Sequence, residues 1–391
     1  MSPRLRALCF TAYTDNLRAS AFVDGLRDAG WEVIPSRGRG PRSSPLELAL
    51  TVLPNCWTAL TSRADVAVGC KPHLNVTLPL LICRARGIPT WLDIDDLDHG
   101  YRSGLGAFLV WATQRAFPKR FDLVSFHNPL LRDHLVDGLG CDPARTIRIP
   151  QGVDLERFAR ARRATEVTPE RPVAVHASHL NRACDLDVVL RAWRLVADRI
   201  PRALLLVVGG GPRLRRFRRL ATRLGLDDNV TFTGAVEPSE VAAYLATADV
   251  ALMYAADRPV NRYRCSLKLR EYFAAGVPVV CNGIGELTEF EPFTYQSDST
   301  EEAFAAMTLR LLDGHDDGRQ ALALDLVRTE MDWRPILHRA EGEVARRLGL
   351  RSSRPEPPPA TATAAAEPAI GQPVQVRLSP TRTVTAAPPD R

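Results

Sequence analysis

The sequence predicts an α/β protein that contains two doubly wound parallel sheets. Short apolar runs rich in β-branched residues alternate with longer helical patterns along residues 1–350, as strands and crossover helices do in parallel sheets. The alternation occurs twice, on either side of a polar stretch at residues 160–168. The chain has 391 residues, of which 45% are apolar and 25% charged, which is typical of a soluble globular protein with two or three domains.

Each half is expected to form one sheet. In the first half the predicted strands are Leu5–Phe10, Trp31–Ile34, Ala64–Val68, Thr90–Ile94, Asp122–Phe126 and Thr146–Ile149. In the second half they are Val173–His176, Ala203–Val208, Val230–Phe232, Val250–Met253 and Val277–Cys281. The helical patterns between them include Asn16–Ala29, Asn128–Val136, Asp185–Arg199, Arg213–Leu224, Pro238–Ala246 and Leu267–Ala275. Because such sheets bind ligands at the carboxyl ends of their strands, we expect the site in a cleft between the halves.

Composition sets the remaining domain boundaries. We predict a first domain over residues 1–162 and a second over residues 163–331. Residues 351–391 hold nine of the 30 prolines and no aromatic residue. This composition predicts a disordered Pro/Ala-rich tail, because too little apolar surface is available to offset the entropy of ordering it. A Pro-rich docking segment is the alternative.

Charge and cysteine content exclude several classes of protein. The net charge is +6, but the arginines are spread along the chain, whereas a nucleic-acid binder concentrates them. The eight cysteines contain no CxxC pair, so neither a disulfide framework nor a zinc site is expected. No apolar run approaches the ~18 residues of a membrane span, and the apolar stretch behind Arg6 is too short for a signal peptide. We therefore expect a cytoplasmic protein.

One stretch of the second half has the features of an anion site. Leu267–Ala275 is predicted to be an amphipathic helix, and the free amides of a helix N-terminus attract a diphosphate. Lys268 adds a cation there. We expect Ser266, Leu267 and Lys268 to bind a nucleotide diphosphate. Glu271 follows one turn later, where a carboxylate either accepts the hydroxyls of a ribose or complements the helix N-terminus.

A glycine turn is predicted to join the same site. Gly210 and Gly211 follow a strand, and they let the backbone approach a ligand closely. The helix after the turn carries several arginines opposite an apolar stripe. A solvated face is one interpretation of these arginines, and contact with an anionic membrane is the other. They are Arg213, Arg215, Arg216, Arg218, Arg219 and Arg223.

Polar side chains also follow the strands of the first half. Lys71 and His73 come after one strand, and Asp95 and Asp96 come after the next. Paired carboxylates can orient or deprotonate a hydroxyl group, so we expect an acceptor site with Asp95 and Asp96 as catalytic groups. Asp96 is equally suited to cap the following segment. His127, at the end of a further strand, and Asn128 beside it are weaker acceptor candidates.

Several segments in order resemble the GT-B glycosyltransferases, especially family 4. Residues 266–280 (SLKLREYFAAGVPVV) are similar to the hallmark stretch of that family. Residues 149–154 (IPQGVD) with Phe158, residues 207–212 (VVGGGP) and residues 228–234 (DNVTFTG) resemble further family elements. The resemblance covers residues 1–350 and implies two Rossmann-like domains separated by a cleft. It also implies a final helix over residues 332–350, opened by Trp333, that crosses back to the first domain.

The resemblance further implies roles for individual residues. The sequence also departs from the family pattern at two sites. It implies that Glu271 holds the ribose of the nucleotide. The family's other motif glutamate falls on Tyr263, where Arg262, Arg264 or Asp257 are the candidates to contact the donor sugar instead. The family's two phosphate-binding cations fall on Ser178 and Cys184.

A single cation, Arg182, remains in the loop that contains those two positions. It is either a bidentate phosphate ligand with a catalytic role or a solvated loop residue.

The predicted reaction is transfer of a sugar from a nucleotide-diphosphate sugar to an acceptor hydroxyl of a glycan, lipid or small molecule. Positive groups near the diphosphate stabilise the charge of the leaving group, so no cofactor and no metal are expected. Asp185-Leu186-Asp187 has the spacing of a DxD motif, but Asp187 fits the start of a helix. Family membership implies retention of anomeric configuration. The alternatives are a catalytically degenerate GT-B protein that binds nucleotide or glycan or acts as a scaffold, and a nucleotide-sugar epimerase.

Overall fold

The computed structural model describes residues 4–14, 16–36, 45–101, 104–161, 171–315 and 317–350. The predicted tail at 351–391 and the predicted domain boundary at residues 162 and 163 lie outside this part of the chain. Two six-stranded parallel sheets with helices on their faces confirm the predicted fold class. No helix among the described residues is long and apolar enough to cross a membrane.

The first sheet is built from six parallel strands. These are β1 Arg6–Thr11, β2 Glu32–Pro35, β3 Val66–Cys70, β4 Thr90–Asp93, β5 Leu123–Phe126 and β6 Thr146–Arg148. Their order is β2-β1-β3-β4-β5-β6, so the chain leaves β1 to one side and then returns to the other. The carboxyl ends of β1, β3, β4 and β5 therefore line the crevice where such sheets bind ligands.

The second sheet repeats this arrangement. Its strands are β7 Val173–Ala177, β8 Leu204–Val208, β9 Val230–Gly234, β10 Val250–Met253, β11 Val279–Asn282 and β12 Tyr295–Ser297. Their order is β12-β11-β10-β7-β8-β9. The sequence analysis missed β12, because three residues are too few to show an alternating pattern. The other eleven strands overlap their predicted ranges, with ends that differ by one or two residues.

Helices connect successive strands. Those of the first half are α1 Leu17–Asp28, α2 Pro45–Thr61, α3 Leu74–Ala85, α4 Gly104–Ala116, α5 Pro129–Asp133 and α6 Leu155–Ala159. Those of the second half are α7 Leu186–Arg199, α8 Leu214–Arg223, α9 Pro238–Leu245, α10 Pro259–Tyr263, α11 Leu267–Ala274, α12 Glu301–Leu312, α13 Arg319–Glu330 and α14 Trp333–Arg347. The predicted helix Asn128–Val136 is instead α5 followed by a π-helical turn at His134–Gly138.

The last helix packs on the first sheet. Ile336, Leu337 and Val344 of α14 lie in the same apolar core as Phe22 of α1. The Trp31 indole donates a hydrogen bond to the Glu341 carboxylate at 2.8 Å. The last described helix therefore packs against the first half of the chain.

A buried ion pair ties α1 to the carboxyl end of β4. The Arg18 guanidinium donates to both carboxylate oxygens of Asp93, at 2.8 and 2.9 Å, and to the carbonyl of Ile149 at 2.8 Å. Both side chains are buried. This bidentate pair holds the last residue of β4 in place, and the acidic loop at residues 95–98 begins two residues later.

Candidate functional site

The first half gathers a lysine and three aspartates at the ends of β3 and β4. Lys71 follows β3 with a left-handed backbone (φ = 70°). Its ammonium group donates to Asp95 at 2.7 Å and to Asp98 at 2.9 Å. Burial alone would lower the pKa of Lys71, but the carboxylates of Asp95, Asp98 and Asp96 raise it well above its usual value. The lysine is therefore charged and held between the carboxylates.

His73 completes this group through Asp98. The His73 Nε2 atom lies 3.1 Å from an Asp98 oxygen, and the histidine is buried. Burial alone would raise the pKa of Asp98, but Lys71 and His73 lower it well below its usual value. The sequence analysis predicted Lys71, His73 and Asp95 and overlooked Asp98. The run of acids at residues 93–98 was the signal for it.

Asp96 has a raised pKa. Burial is the largest cause that raises its pKa to about 7, while Lys71 lowers it and Asp95 raises it. The backbone oxygen of Asp96 accepts a hydrogen bond from Gln114 of α4 at 2.8 Å. A carboxyl group that titrates near neutral pH is suited to accept or donate a proton during catalysis.

His127 connects the acidic loop with the second half. Its Nε2 atom donates to the backbone oxygen of Asp95 at 2.6 Å. Burial lowers its pKa to about 4, so the ring is neutral at physiological pH. A ring nitrogen of His127, the Cys265 sulfur and a Glu286 oxygen lie within 4.8 Å of one another. The predicted acceptor residue His127 thus lies where the two halves meet.

The Glu286 carboxylate already has partners. It accepts from Arg270 in a buried ion pair, from the Ser266 amide at 2.9 Å and from the Cys265 thiol at 3.2 Å. Burial would raise the pKa of Glu286, but Arg270 lowers it below its usual value. Because the guanidinium already neutralises the carboxylate, we interpret this cluster as a hydrogen-bond network rather than as a metal site.

Lys268 lines a pocket in the second half. The pocket is lined by residues from the ends of β7 and β10 and from the start of α11, including His176, Cys184, Asp185, Arg264, Ser266 and Lys268. The Lys268 ammonium group lies 3.3 Å from the Ser178 hydroxyl. Burial lowers the pKa of Lys268 to about 8, and Arg264 contributes in the same direction. The partly buried cation and the N-terminus of α11 therefore face one pocket.

This arrangement concerns Ser178 and Cys184, the two positions at which the loop departs from the family pattern. Ser178 and Cys184 stand where the resemblance places cations, and Lys268 extends from α11 to Ser178. A cation from another element therefore lies beside one of the two positions at which the loop lacks one. Arg182 is exposed in the loop between β7 and α7. Asp185 pairs with Arg258 and accepts from the Ala256 amide at 2.9 Å, while α7 begins at Leu186 as expected.

We expect anion binding in this pocket to weaken as the pH rises. The neutral amine of Lys268 predominates above its pKa of about 8, so nucleoside diphosphate affinity should fall between pH 7 and 9. Isothermal titration calorimetry at both pH values measures this change. In the Lys268→Met variant the fall should be much smaller. An equally steep fall in that variant would assign the titration to another group.

Glu271 is held by a residue that the sequence analysis did not single out. Its carboxylate forms an ion pair with Arg157 of α6. Burial raises the pKa of Glu271, and Arg157 lowers it. Asp154 accepts hydrogen bonds from the first amides of α6, at 3.1 Å from Glu156 and 3.4 Å from Arg157. The segment at residues 149–158 therefore orients Glu271, which no pattern near Glu271 could show.

The glycine turn contacts a neighbouring loop. The carbonyl of Gly210 accepts a hydrogen bond from the Leu180 amide at 2.9 Å. A Cβ atom on Gly211 would lie 2.6 Å from the Leu180 oxygen, and the residue has φ = 151°. The close approach that requires glycine here is thus to the loop after β7, and ligand contact by Gly210 and Gly211 stays a prediction.

Tyr263 faces the first half. Its backbone oxygen accepts from the Asn128 amide group at 3.2 Å, and its ring packs against His134 with centroids 5.3 Å apart. Of the candidate replacements for the missing glutamate, Arg262 pairs with Asp257 at an exposed site, and Arg264 lines the pocket. Arg264 is therefore the candidate that the structure places beside Lys268.

The comparisons with known proteins agree with this architecture. Residues 171–314 match the family described as "Glycosyl transferases group 1". A GDP-mannose-dependent alpha-(1-6)-phosphatidylinositol monomannoside mannosyltransferase of Mycobacterium tuberculosis is 35% identical over 177 residues, which cover 43% of this chain and 46% of the relative. The chain therefore aligns with less than half the length of that relative.

Solved structures share the fold over most of the chain. Sucrose-phosphate synthase from Thermosynechococcus elongatus superposes with a TM-score of 0.71 at 17% identity, covering 89% of this chain and 99% of that one. The Anabaena protein HepE in complex with UDP-glucose gives 0.65 at 14% identity, covering 88% and 100%. Residues 171–314 thus resemble the group 1 glycosyl transferases, and the chain has the GT-B fold.

Proposed function

We propose that the protein transfers a sugar from a nucleotide-diphosphate sugar to an acceptor hydroxyl, with retention of anomeric configuration. The second half would bind the donor and the first half the acceptor. The observation that carries this proposal is the Lys268 ammonium group 3.3 Å from Ser178. It provides a partly buried cation at the helix N-terminus where the leaving diphosphate is expected, although the loop lacks the two cations that the resemblance places at Ser178 and Cys184.

In this proposal the donor diphosphate binds at the start of α11. The amides of Leu267 and Lys268, with the Lys268 and Arg264 side chains, would stabilise the negative charge that develops as the glycosidic bond breaks, while the Ser266 amide donates to Glu286. Arg182 would add a bidentate contact from the loop, and Glu271 would accept the ribose hydroxyls. Because these groups neutralise the diphosphate, the proposed reaction requires no metal and no other cofactor.

The acceptor would bind at the acidic loop. Lys71 and His73 hold Asp95 and Asp98 in fixed positions, and fixed groups lose little entropy when they orient a hydroxyl. The Asp96 carboxylate would take up the proton of the acceptor hydroxyl as its oxygen bonds to the sugar carbon. A pKa of about 7 suits this transfer at neutral pH. The resemblance of residues 171–314 to the group 1 glycosyl transferases supports retention.

The comparisons suggest which substrates to test first. The mycobacterial relative is named for GDP-mannose and a phosphatidylinositol mannoside, and the Anabaena neighbour was solved with UDP-glucose. GDP-mannose is the first donor to test, because that relative is 35% identical in the aligned segment. The acceptor classes in the proposal are a glycan, a lipid or a small molecule, and nucleic acid is not among them.

The proposal also includes action in the cytoplasm, at the inner face of the membrane. The arginine-rich helix α8 has exposed arginines at Arg215, Arg216 and Arg219. Its apolar residues Phe217 and Ala221 are packed in the core of the second half. A membrane contact through α8 would therefore be electrostatic alone.

A catalytically degenerate GT-B protein is the second candidate. The contacts of Tyr263 with Asn128 and His134 favour it, because the motif position that contacts the donor sugar in the family is here part of the junction between the halves. Such a protein would bind a nucleotide yet neither transfer nor hydrolyse the donor sugar. A turnover assay with each nucleotide sugar that binds distinguishes the two candidates.

A binding screen against UDP, GDP, ADP and dTDP tests the proposed donor site. We expect a preference for one nucleotide, and Glu271→Ala should weaken its binding by about 1–3 kcal/mol, the cost of losing hydrogen bonds to a charged group. Isothermal titration calorimetry measures both quantities. Glu302→Ala, which removes an exposed carboxylate of α12, is the matched control. Unchanged affinity in folded Glu271→Ala would remove Glu271 from the site, and no binding by the wild type would favour the degenerate candidate.

A further inference from the structure

Helix α2 buries polar side chains and exposes apolar ones. Along its described side chains, Thr51, Asn55 and Ala59 are buried. Leucines and a tryptophan occupy the opposite side, where Leu53 is 70% exposed and Trp57 is 68% exposed. A surface helix of a soluble domain ordinarily buries its apolar stripe and exposes its polar one. The helix therefore presents to its surroundings the face that normally forms a core.

Helix α4 also exposes aromatic side chains. Its buried side contains Val110 together with the polar Thr113 and Gln114, and Gln114 makes its hydrogen bond to the acidic loop from there. Phe108 is 58% exposed, and its ring lies 5.8 Å from that of Trp111, which is also exposed. The Arg115 guanidinium stands over the Trp111 ring at 5.8 Å. Two helices thus expose apolar and aromatic residues together.

These helices lie on the same side of the first sheet. The crossovers β2–α2–β3, β3–α3–β4 and β4–α4–β5 all proceed in one direction across the sheet, and right-handed crossovers then place their helices on one face. Helix α3 packs against both α2 and α4. We use the term α2–α4 surface for the exposed large apolar residues of the two outer helices, which are Leu50, Leu53, Trp57, Leu60, Phe108, Leu109 and Trp111.

Within residues 48–64 and 99–121, which carry this surface, the charged side chains are basic. Arg63 follows α2, and Arg115, Lys119 and Arg120 occupy and follow the end of α4; all four are exposed. The sequence contains no Asp or Glu between residues 48 and 64 or between residues 99 and 121. Such a rim repels a second copy of itself and attracts an anionic surface.

We infer that the α2–α4 surface docks onto an anionic lipid bilayer, with its leucines and aromatic rings in the interfacial region. Tryptophan prefers this region because its ring is apolar and its N–H can still contact water. Basic residues around an apolar patch add attraction to anionic headgroups. The inference does not depend on the proposed transferase activity, because vesicle binding is measured without a donor.

The docked face is connected to the acidic loop. Gln114, on the buried side of α4, donates to the Asp96 backbone oxygen at 2.8 Å and accepts from His99 at 2.8 Å between its Oε1 and the ring Nδ1. One helix therefore has a lipid-facing side and a side that holds the candidate acceptor loop. Docking would bring the Asp95–Asp98 loop close to the lipid headgroups.

Co-sedimentation of the full chain with vesicles tests the inference. We expect binding to vesicles of phosphatidylcholine and phosphatidylglycerol in equal parts, and much weaker binding to phosphatidylcholine alone. Leu53→Gln/Trp57→Gln should reduce binding at least about tenfold, because two apolar side chains no longer leave water. Both residues are exposed, so the substitutions open no cavity. Leu195→Gln/Leu322→Gln, which changes two exposed leucines of the second half, is the matched control and should bind as the wild type does.

Charge variants distinguish vesicle binding through the α2–α4 surface from vesicle binding through α8. Arg115→Gln/Lys119→Gln should weaken binding to the anionic vesicles, whereas Arg216→Gln/Arg219→Gln should leave it unchanged. The opposite result would overturn the inference in favour of α8. The inference would also be overturned if the wild type bound no vesicles. Analytical ultracentrifugation tests the other occupant: if the wild type is a dimer and Leu53→Gln/Trp57→Gln is a monomer, the surface binds a second copy of the chain instead.

Discussion

Replacing Lys71 by methionine is expected to lower the free energy of unfolding by about 3–5 kcal/mol at pH 7, the range observed when one partner of a buried ion pair is removed. The variant leaves Asp95, Asp96 and Asp98 close together without the cation that neutralises them. Methionine matches the length of lysine and keeps its Cβ atom, so the left-handed backbone at this position stays equally strained.

The loss of stability in Lys71→Met should be smaller at low pH than at pH 7. Because the pKa of Asp98 is lowered in the folded protein, its interactions stabilise the fold above the unfolded pKa of about 4 and are lost as the pH falls below it. In Lys71→Met the carboxylates can also take up protons as the pH falls. The difference between wild type and variant should therefore shrink from pH 7 to pH 3.

Urea denaturation at the two pH values measures this difference. Lys119→Met, which changes an exposed lysine, is the matched control and should alter stability by less than about 0.5 kcal/mol. Sugar transfer by Lys71→Met, assayed where it is folded, should also fall, because Asp95 loses the group that positions it. An equal loss of stability at pH 7 and pH 3 would show that packing, rather than charge, accounts for the role of Lys71.

Glu286→Ala is expected to destabilise the second half by a similar amount, about 3–5 kcal/mol. The Arg270 guanidinium is 5% exposed, and without Glu286 it would remain buried with no carboxylate to pair with. The Ser266 amide would lose its acceptor at the same time. Nucleotide affinity should fall with stability, because this amide precedes the first turn of α11.

Thermal and urea unfolding provide the measurements. The double variant Arg270→Met/Glu286→Leu should recover most of the lost stability, since apolar residues of similar volume replace a buried ion pair at little cost. Glu291→Ala, which removes the exposed partner of Arg319, should cost less than about 1 kcal/mol. If Glu286→Ala proved as mild as Glu291→Ala, the buried pair would not stabilise the second half.

Much of the candidate site could be predicted because its parts are local. Ser266, Lys268 and Glu271 lie within one turn and a half of a helix, and that spacing alone places them near a helix N-terminus. Lys71, His73 and Asp95 follow neighbouring parallel strands, whose carboxyl ends lie at one edge of the sheet. Asp98, Arg157 and Glu286 were missed because their roles come from partners that are distant in the chain.

The sequence by itself determined the two sheets, eleven of the twelve strands and the helix whose N-terminus is the proposed donor site, because alternation of apolar runs and helix signals is a property of neighbouring residues. The tertiary structure alone decided that Lys268 reaches Ser178, that Arg157 holds Glu271, and that α2 and α4 expose apolar side chains. Side-chain contacts between distant segments depend on how elements pack. A helical pattern shows that one face is apolar, but only packing decides which face is buried.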